Sequence, residues 1–182
     1  MWKTLQWCLW IAGVLSIGYW AQLSVKARVS QVRGAWELER PRPETTSPIP
    51  SSGDVVGRLE IPRLKLSTVV FEGADEDVLQ RGAGHLPGSA QPGDRGNTVL
   101  AAHRDTSFRP LRDIRIGDLV KLHTRSKESV YIVESSRVVE PDEVEVLKPT
   151  PGPALTLITC YPFRYIGPAP ERFVVRAALA SD

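Results

Sequence analysis

Hydrophobic and polar positions along this chain fall into three regimes. From residue 4 to residue 25 no charged side chain interrupts an apolar run of about 22 residues. A helix needs roughly 20 to cross a hydrocarbon core. Trp2, Trp7, Trp10, Tyr19 and Trp20 crowd towards the two ends of the run, where amphipathic rings favour the headgroup region. Uncharged helical runs of that length are scarce in soluble cores. The run also exceeds the usual signal-peptide core of about 7–15 residues, and no small-x-small cleavage pattern follows it. The pattern predicts an uncleaved signal-anchor transmembrane helix over residues 1–25. Lys3 on one side faces Lys26, Arg28 and Arg33 on the other, so the positive-inside count leaves its orientation open.

Residues 26–40 are polar and helix-permissive, with Trp36 and Leu38 the main apolar exceptions. Pro41, Pro43, Pro48 and Pro50, interleaved with Thr45, Thr46, Ser47, Ser51, Ser52 and Gly53, then favour extended, unpaired backbone. Residues 26–53 thus read as a stalk and linker, and one domain is expected over residues 54–182.

In that domain the period changes to two. Short apolar or alternating runs at 55–61, 67–71, 98–102, 119–123, 130–134, 155–160 and 173–179 are rich in Val, Ile, Thr and Tyr. Pro62, Gly73, Gly117–Asp118 and Pro162 punctuate them. One short helix is expected over 75–80, with Asp75 as its N-cap. The fold class is therefore all-β, and many short strands suggest a closed or nearly closed barrel. Strand order does not follow from the pattern.

Composition narrows the function classes. The net charge of the 182 residues is only +2, and basic residues are scattered rather than gathered in a stripe, which argues against nucleic-acid binding. The two cysteines are Cys8, inside the apolar run, and Cys160, near the other end. They form no disulfide framework. A lone thiol in an exported domain is a liability unless the protein uses it.

The segment Thr156-Leu157-Ile158-Thr159-Cys160-Tyr161-Pro162 places that thiol at the end of a β-prone strand. Pro162 has no N–H and stops ladder pairing just beyond it. Such a thiol is rigid behind and open in front, as a nucleophile must be; the alternative is a small buried hydrophobe. A histidine could take the thiol proton and later protonate a leaving amine. His103 follows the run 98–102 and also stands at a strand end. His123 closes an alternating strand and reads as solvent-facing, while His85, in the loop Gly82-Ala83-Gly84-His85-Leu86-Pro87-Gly88, either adjoins a site or is merely satisfied there. Spacing alone does not choose among the three. A fixed cation would support a developing oxyanion and favour thiolate. Arg172 opens the last expected strand, whereas Arg164 sits in a loop; Arg164 and Arg176 read as surface charges. Thr159 and His85 are further candidates for substrate or oxyanion support.

These residues resemble the sortase family. The resemblance runs through Gly96-Asn97-Thr98-Val99-Leu100-Ala101-Ala102-His103-Arg104, Gly117-Asp118, Thr156-Leu157-Ile158-Thr159-Cys160 and Glu171-Arg172-Phe173-Val174-Val175. The stretch Cys160-Tyr161-Pro162-Phe163, with Gly167-Pro168-Ala169-Pro170 before Arg172, looks most like class D sortases. Ala102 stands where the family usually carries glycine. The resemblance implies an eight-stranded sortase-type barrel and a ping-pong cysteine transpeptidase; no cofactor and no metal-ligand set is expected from the sequence, which leaves metal activation open. Its catalytic residues would be Cys160, His103 and Arg172. Its substrates would be secreted proteins with a C-terminal signal like Leu-Pro-x-Thr-Gly or its Thr-Ala relative. Its acceptor would be an amine from a cell-wall precursor or a pilin lysine. That role places the domain outside the cell membrane on a single-pass anchor. Two alternatives share the sequence: a membrane-tethered cysteine hydrolase using the same site, and a non-enzymatic barrel in which Cys160, His103 and His85 bind zinc or simply pack.

Overall fold

The computed structural model describes residues 50–180 continuously, with scattered helical positions between residues 3 and 31. Most of the expected anchor and stalk lies outside the described residues. Among the described residues no helix is long and apolar enough to cross a membrane.

Eight strands close into a barrel: β1 (Val55–Ile61), β2 (Leu66–Glu72), β3 (Ala83–His85), β4 (Asn97–Ala101), β5 (Leu119–His123), β6 (Glu128–Val139), β7 (Ala154–Tyr161) and β8 (Glu171–Leu179). Their order around the barrel is β1-β2-β3-β4-β7-β8-β6-β5. Pairs β2–β3 and β4–β7 are parallel; the others are antiparallel. The helix α1 (Glu76–Arg81) crosses between β2 and β3, and Asp75 caps it by accepting from the Val78 N–H. The all-β barrel expected from the period-two runs is the observed fold.

Alternation sets the inside of the barrel. Along β1 every second residue is buried, and Leu59, Ile61, Leu100, Leu122, Leu155 and Leu157 meet in the interior. Strand β2 departs from alternation, with five consecutive buried residues at its end. The reason is α1, whose Val78 joins Val55, Val69 and Phe71 in a second apolar cluster outside the wall.

Two elements differ from the expected pattern. Strand β3 is only three residues long and carries Gly84. A Cβ at that glycine would stand 2.2 Å from the Gly73 carbonyl oxygen, so only glycine allows this approach. Strand β6 extends beyond residue 134 through Ser135, Ser136 and Arg137, with an irregularity between Val133 and Ser135. These residues lack alternation, and β8 supplies the ladder that holds them extended.

The Gly117-Asp118 turn is fastened from below. Arg63 reaches the Asp118 carboxylate through both Nε and Nη2, the latter at 2.6 Å, and the Arg115 N–H adds a bond of 2.8 Å. The Arg63 bonds, ahead of the opposing cost of burial, hold the Asp118 carboxyl below the usual carboxylate range. A depressed carboxyl contributes stability above the unfolded pKa of about 4 and loses it as pH falls through its own lower value. Asp118→Asn is therefore expected to cost roughly 1–2 kcal/mol near neutral pH. In urea unfolding the gap from the parent protein should shrink below about pH 4; a gap independent of pH would refute the assignment.

Candidate active site

Parallel pairing of β4 with β7 puts Ala101 opposite Ile158. The Ala102 N–H continues that ladder to the Ile158 carbonyl at 3.2 Å. His103 is two residues beyond Ala101, and Cys160 is two residues beyond Ile158. Both therefore reach the same level at the same end of the sheet. In the antiparallel pairing of β7 with β8, Cys160 stands directly opposite Arg172.

Parity gives the face. Leu155 and Leu157 of β7, Val175 and Ala177 of β8, and Leu100 and Ala102 beside them all belong to the interior. The alternate set, Cys160, Arg172 and His103, is thus directed to the outside of the wall. Thiol and guanidinium come from β7 and β8, and the imidazole from the segment just after β4, at one rim.

Each is held locally. Cys160 is a free, half-buried cysteine. Beside it Thr159 points inward, is 3% exposed, and donates from Oγ1 to the Ala102 carbonyl at 2.7 Å. This bond ties the cysteine strand to the histidine strand, so Thr159 has a bracing role rather than an open face toward substrate. The Ala102 methyl, where the family usually has hydrogen, lies in the core and is 5% exposed. The extra carbon is absorbed inside and leaves the rim unobstructed. Below the rim Tyr161, Phe163 and Phe173 pack with centroids 5.2–6.3 Å apart, and Phe163 and Phe173 also rest on the core.

Arg172 donates from Nη1 to the carbonyls of Ala169 (3.2 Å) and Glu171 (2.9 Å). No other donor of its guanidinium bonds a described residue, which leaves an edge for an oxyanion. Arg164 is exposed in the β7–β8 loop. That loop is gripped by Arg104, which donates to the carbonyls of Tyr165 (2.9 Å) and Gly167 (3.1 Å).

His103 is about one-third exposed, and its Nε2 lies 3.4 Å from Glu76 Oε1 on α1. Glu76 is a neighbour that sequence reading missed. The N-cap at Asp75 made the helix legible, but only the β2–β3 crossover brings it over the rim. Glu76 is 69% exposed on its side chain, so the contact is a weak orienting one.

The other histidines are elsewhere. His123 on β5 bonds Glu128 (3.0 Å) and approaches Glu60 (3.4 Å). His85 is fully buried, with Nδ1 at 2.8 Å from Glu72 Oε2 and Nε2 within 3.0 Å of the Ala90 carbonyl and Ser89 Oγ. The expectation of a substrate-side role for His85 is corrected: both ring nitrogens are engaged inside the wall. This also removes a ligand that the zinc alternative required. His85→Ala should cost on the order of 3 kcal/mol, because it strands a buried carboxylate and leaves a cavity. Thermal unfolding would test this; a melting temperature within a degree of the parent would refute it.

A sortase domain model matches residues 59–180. The chain belongs to the sortase family. It is 35% identical over 127 residues to sortase D of Bacillus subtilis, which covers 69% of this chain and 64% of that protein. Sortase A of Streptococcus agalactiae is 32% identical over 134 residues, covering 69% and 53%. The chain thus spans less than two thirds of these curated relatives. Among solved structures, the Clostridium perfringens sortase D5 transpeptidase superposes with a TM-score of 0.74 at 25% identity, covering 87% of this chain and 99% of that one. Sortase C1 of Streptococcus suis gives 0.63 at 34% identity, covering 70% and 74%. The resemblance to class D sortases read from the loop after Cys160 agrees with the first and third of these.

Proposed function

We propose that this sortase is a membrane-anchored cysteine transpeptidase acting outside the cell membrane on C-terminal sorting signals like Leu-Pro-x-Thr-Gly or Leu-Pro-x-Thr-Ala. The observation that carries the reading is the convergence of Cys160, His103 and Arg172 on one outward-facing rim. The Cys160 thiolate attacks the threonine carbonyl, and Arg172 stabilises the oxyanion. The C–N bond breaks as His103 gives its proton to the departing amine, leaving a thioester. An acceptor amine then attacks the thioester carbonyl and loses a proton to His103. The C–S bond breaks, and a new amide forms. The acceptor is an amine of a cell-wall precursor or a pilin lysine. The apolar run at residues 4–25 supports the membrane anchor.

The test incubates the full chain in detergent with a small library of sorting-signal peptides and reads intact protein mass. A Cys160 adduct equal to the acyl fragment is expected. Added amine should convert the product from free carboxylate to amide. Free carboxylate alone under both conditions would make the protein a hydrolase, and no adduct with any peptide would refute the reading.

A further inference from the structure

Below Cys160, on the same outer face, β7 and β8 floor a cavity of about 220 Å³ lined by Arg176, Thr156, Val174, Val146, Glu145 and Arg137. The cavity was not foreseen, because Arg176 reads from sequence as a surface charge. One carboxylate lines it, Glu145, which is exposed and pairs with Lys148 (2.6 Å), while Arg137 pairs with Glu143 outside the lining (2.7 Å). Arg176 differs. Its Nη1 donates to Thr156 Oγ1 at 2.6 Å, and no described carboxylate lies within ion-pair distance.

Burial pushes the Arg176 guanidinium below its ordinary pKa; exposed Glu134 opposes this and Arg137 adds to it. A cation partly withdrawn from water, with no carboxylate in direct contact among the described residues, favours an anion with matching hydrogen-bond geometry. The surroundings are also fixed in advance. Thr156 donates to Asn97 Oδ1 (2.6 Å), and Asn97 Nδ2 donates to the carbonyls of Val146 (3.0 Å) and Lys148 (3.2 Å). One chain of bonds therefore holds the guanidinium, the cavity floor and the β6–β7 loop, and a preorganised site loses less on binding.

Distance sets what the site can read. Arg176 is four residues along β8 from Arg172, on the same face and opposite Thr156. At roughly 3.3 Å per residue that is about 13 Å. An extended peptide covers the same distance in four residues. Between the two arginines stand half-buried Ile158 and buried Val174, so the surface there is apolar and mostly that of Ile158. Beyond Cys160 the strand stops near Pro162, so the outer face runs from the thiol down β7 and its neighbours β8 and β4, and Arg176 lies on the β8 side. The peptide segment kept as the acyl group must stay bound through both steps, and this face is where it can lie.

We infer that Arg176 is a specificity-determining residue that binds an acidic side chain, Asp or Glu, four residues ahead of the attacked carbonyl. The inference rests on the transpeptidase reading for its substrate. For peptides X-Leu-Pro-Ala-Thr-Gly, X is that position. The full chain in detergent would be given peptides with X as Glu, Gln or Lys, and kcat/KM for acylation of Cys160 compared. The Glu peptide should exceed the Gln peptide about tenfold, with Lys poorest. In Arg176→Gln the Glu-to-Gln ratio should fall to about one, and in Arg176→Glu the Lys peptide should lead. The ratio within one variant does not depend on how much of it folds. A ratio unchanged by Arg176→Gln, or no Glu preference in the parent, overturns the inference. If no peptide is acylated, fluorescence anisotropy with Cys160→Ala protein reads the same preference as affinity. A Glu preference there, lost on adding Arg176→Gln, keeps the inference while the transpeptidase reading fails; its absence ends both.

Discussion

Cys160→Ala is expected to abolish acyl-enzyme formation, with no adduct by intact mass on any sorting-signal peptide. The reason is chemical rather than steric. The thioester needs a sulfur, and among the described residues Cys160 is the free cysteine. Replacement removes one small side chain from the outer face of β7, where it is half-buried and lies outside the main core cluster. Folding should therefore be nearly unaffected, and the melting temperature should stay within a few degrees of the parent. Cys8 provides the control, since its apolar setting offers no general base; Cys8→Ala should leave acylation intact. Adduct formation that persists in Cys160→Ala would place the nucleophile elsewhere and end the cysteine mechanism.

The contrast between these two cysteines shows how far sequence alone reaches. A strand ending at Cys160 and stopped by Pro162 is visible in periodicity and in one missing N–H. The alternating runs likewise disclose most strands, since each must turn one face to Leu59, Leu122 and Leu157. Strand β3 escapes because Ala83-Gly84-His85 is too short and too glycine-rich for any period. The second half of β6 escapes because its polar residues are extended by a partner, not by their own pattern.

Closure of the barrel is the larger gap. Strands β4 and β7 are parallel neighbours with two other strands between them in sequence, and nothing local specifies that pairing. Only a family resemblance links Ala102-His103 to Thr159-Cys160 before the fold is known. The misread residues share one cause. His85 in a glycine-rich loop fits a site as well as a packed wall, and Arg176 on a terminal strand reads as a surface charge; in neither is the partner visible in the sequence. Glu72 and Ser89 in one case, Thr156 in the other, supply the partners that permit burial.

His103→Ala and Arg172→Ala should each lower kcat/KM for acylation by on the order of 10²-fold or more, by different routes. Without His103 the thiol proton has no acceptor at the rim, and the departing amine has no donor. Loss should therefore appear in both acylation and resolution of the thioester. Without Arg172 the imidazole remains, but the oxyanion formed opposite β8 loses its fixed cation. Arg172→Lys should recover part of that loss, because charge is restored without the planar, multi-donor guanidinium. Arg164 lies in the loop beyond Pro162 and is exposed, so Arg164→Ala should stay within a few-fold of the parent. Single-turnover acylation of the four proteins decides the matter. A near-silent Arg172→Ala beside a crippled Arg164→Ala would move the oxyanion support from β8 into the loop. A near-silent His103→Ala would mean that the level shared by β4 and β7 brings two groups together without using them.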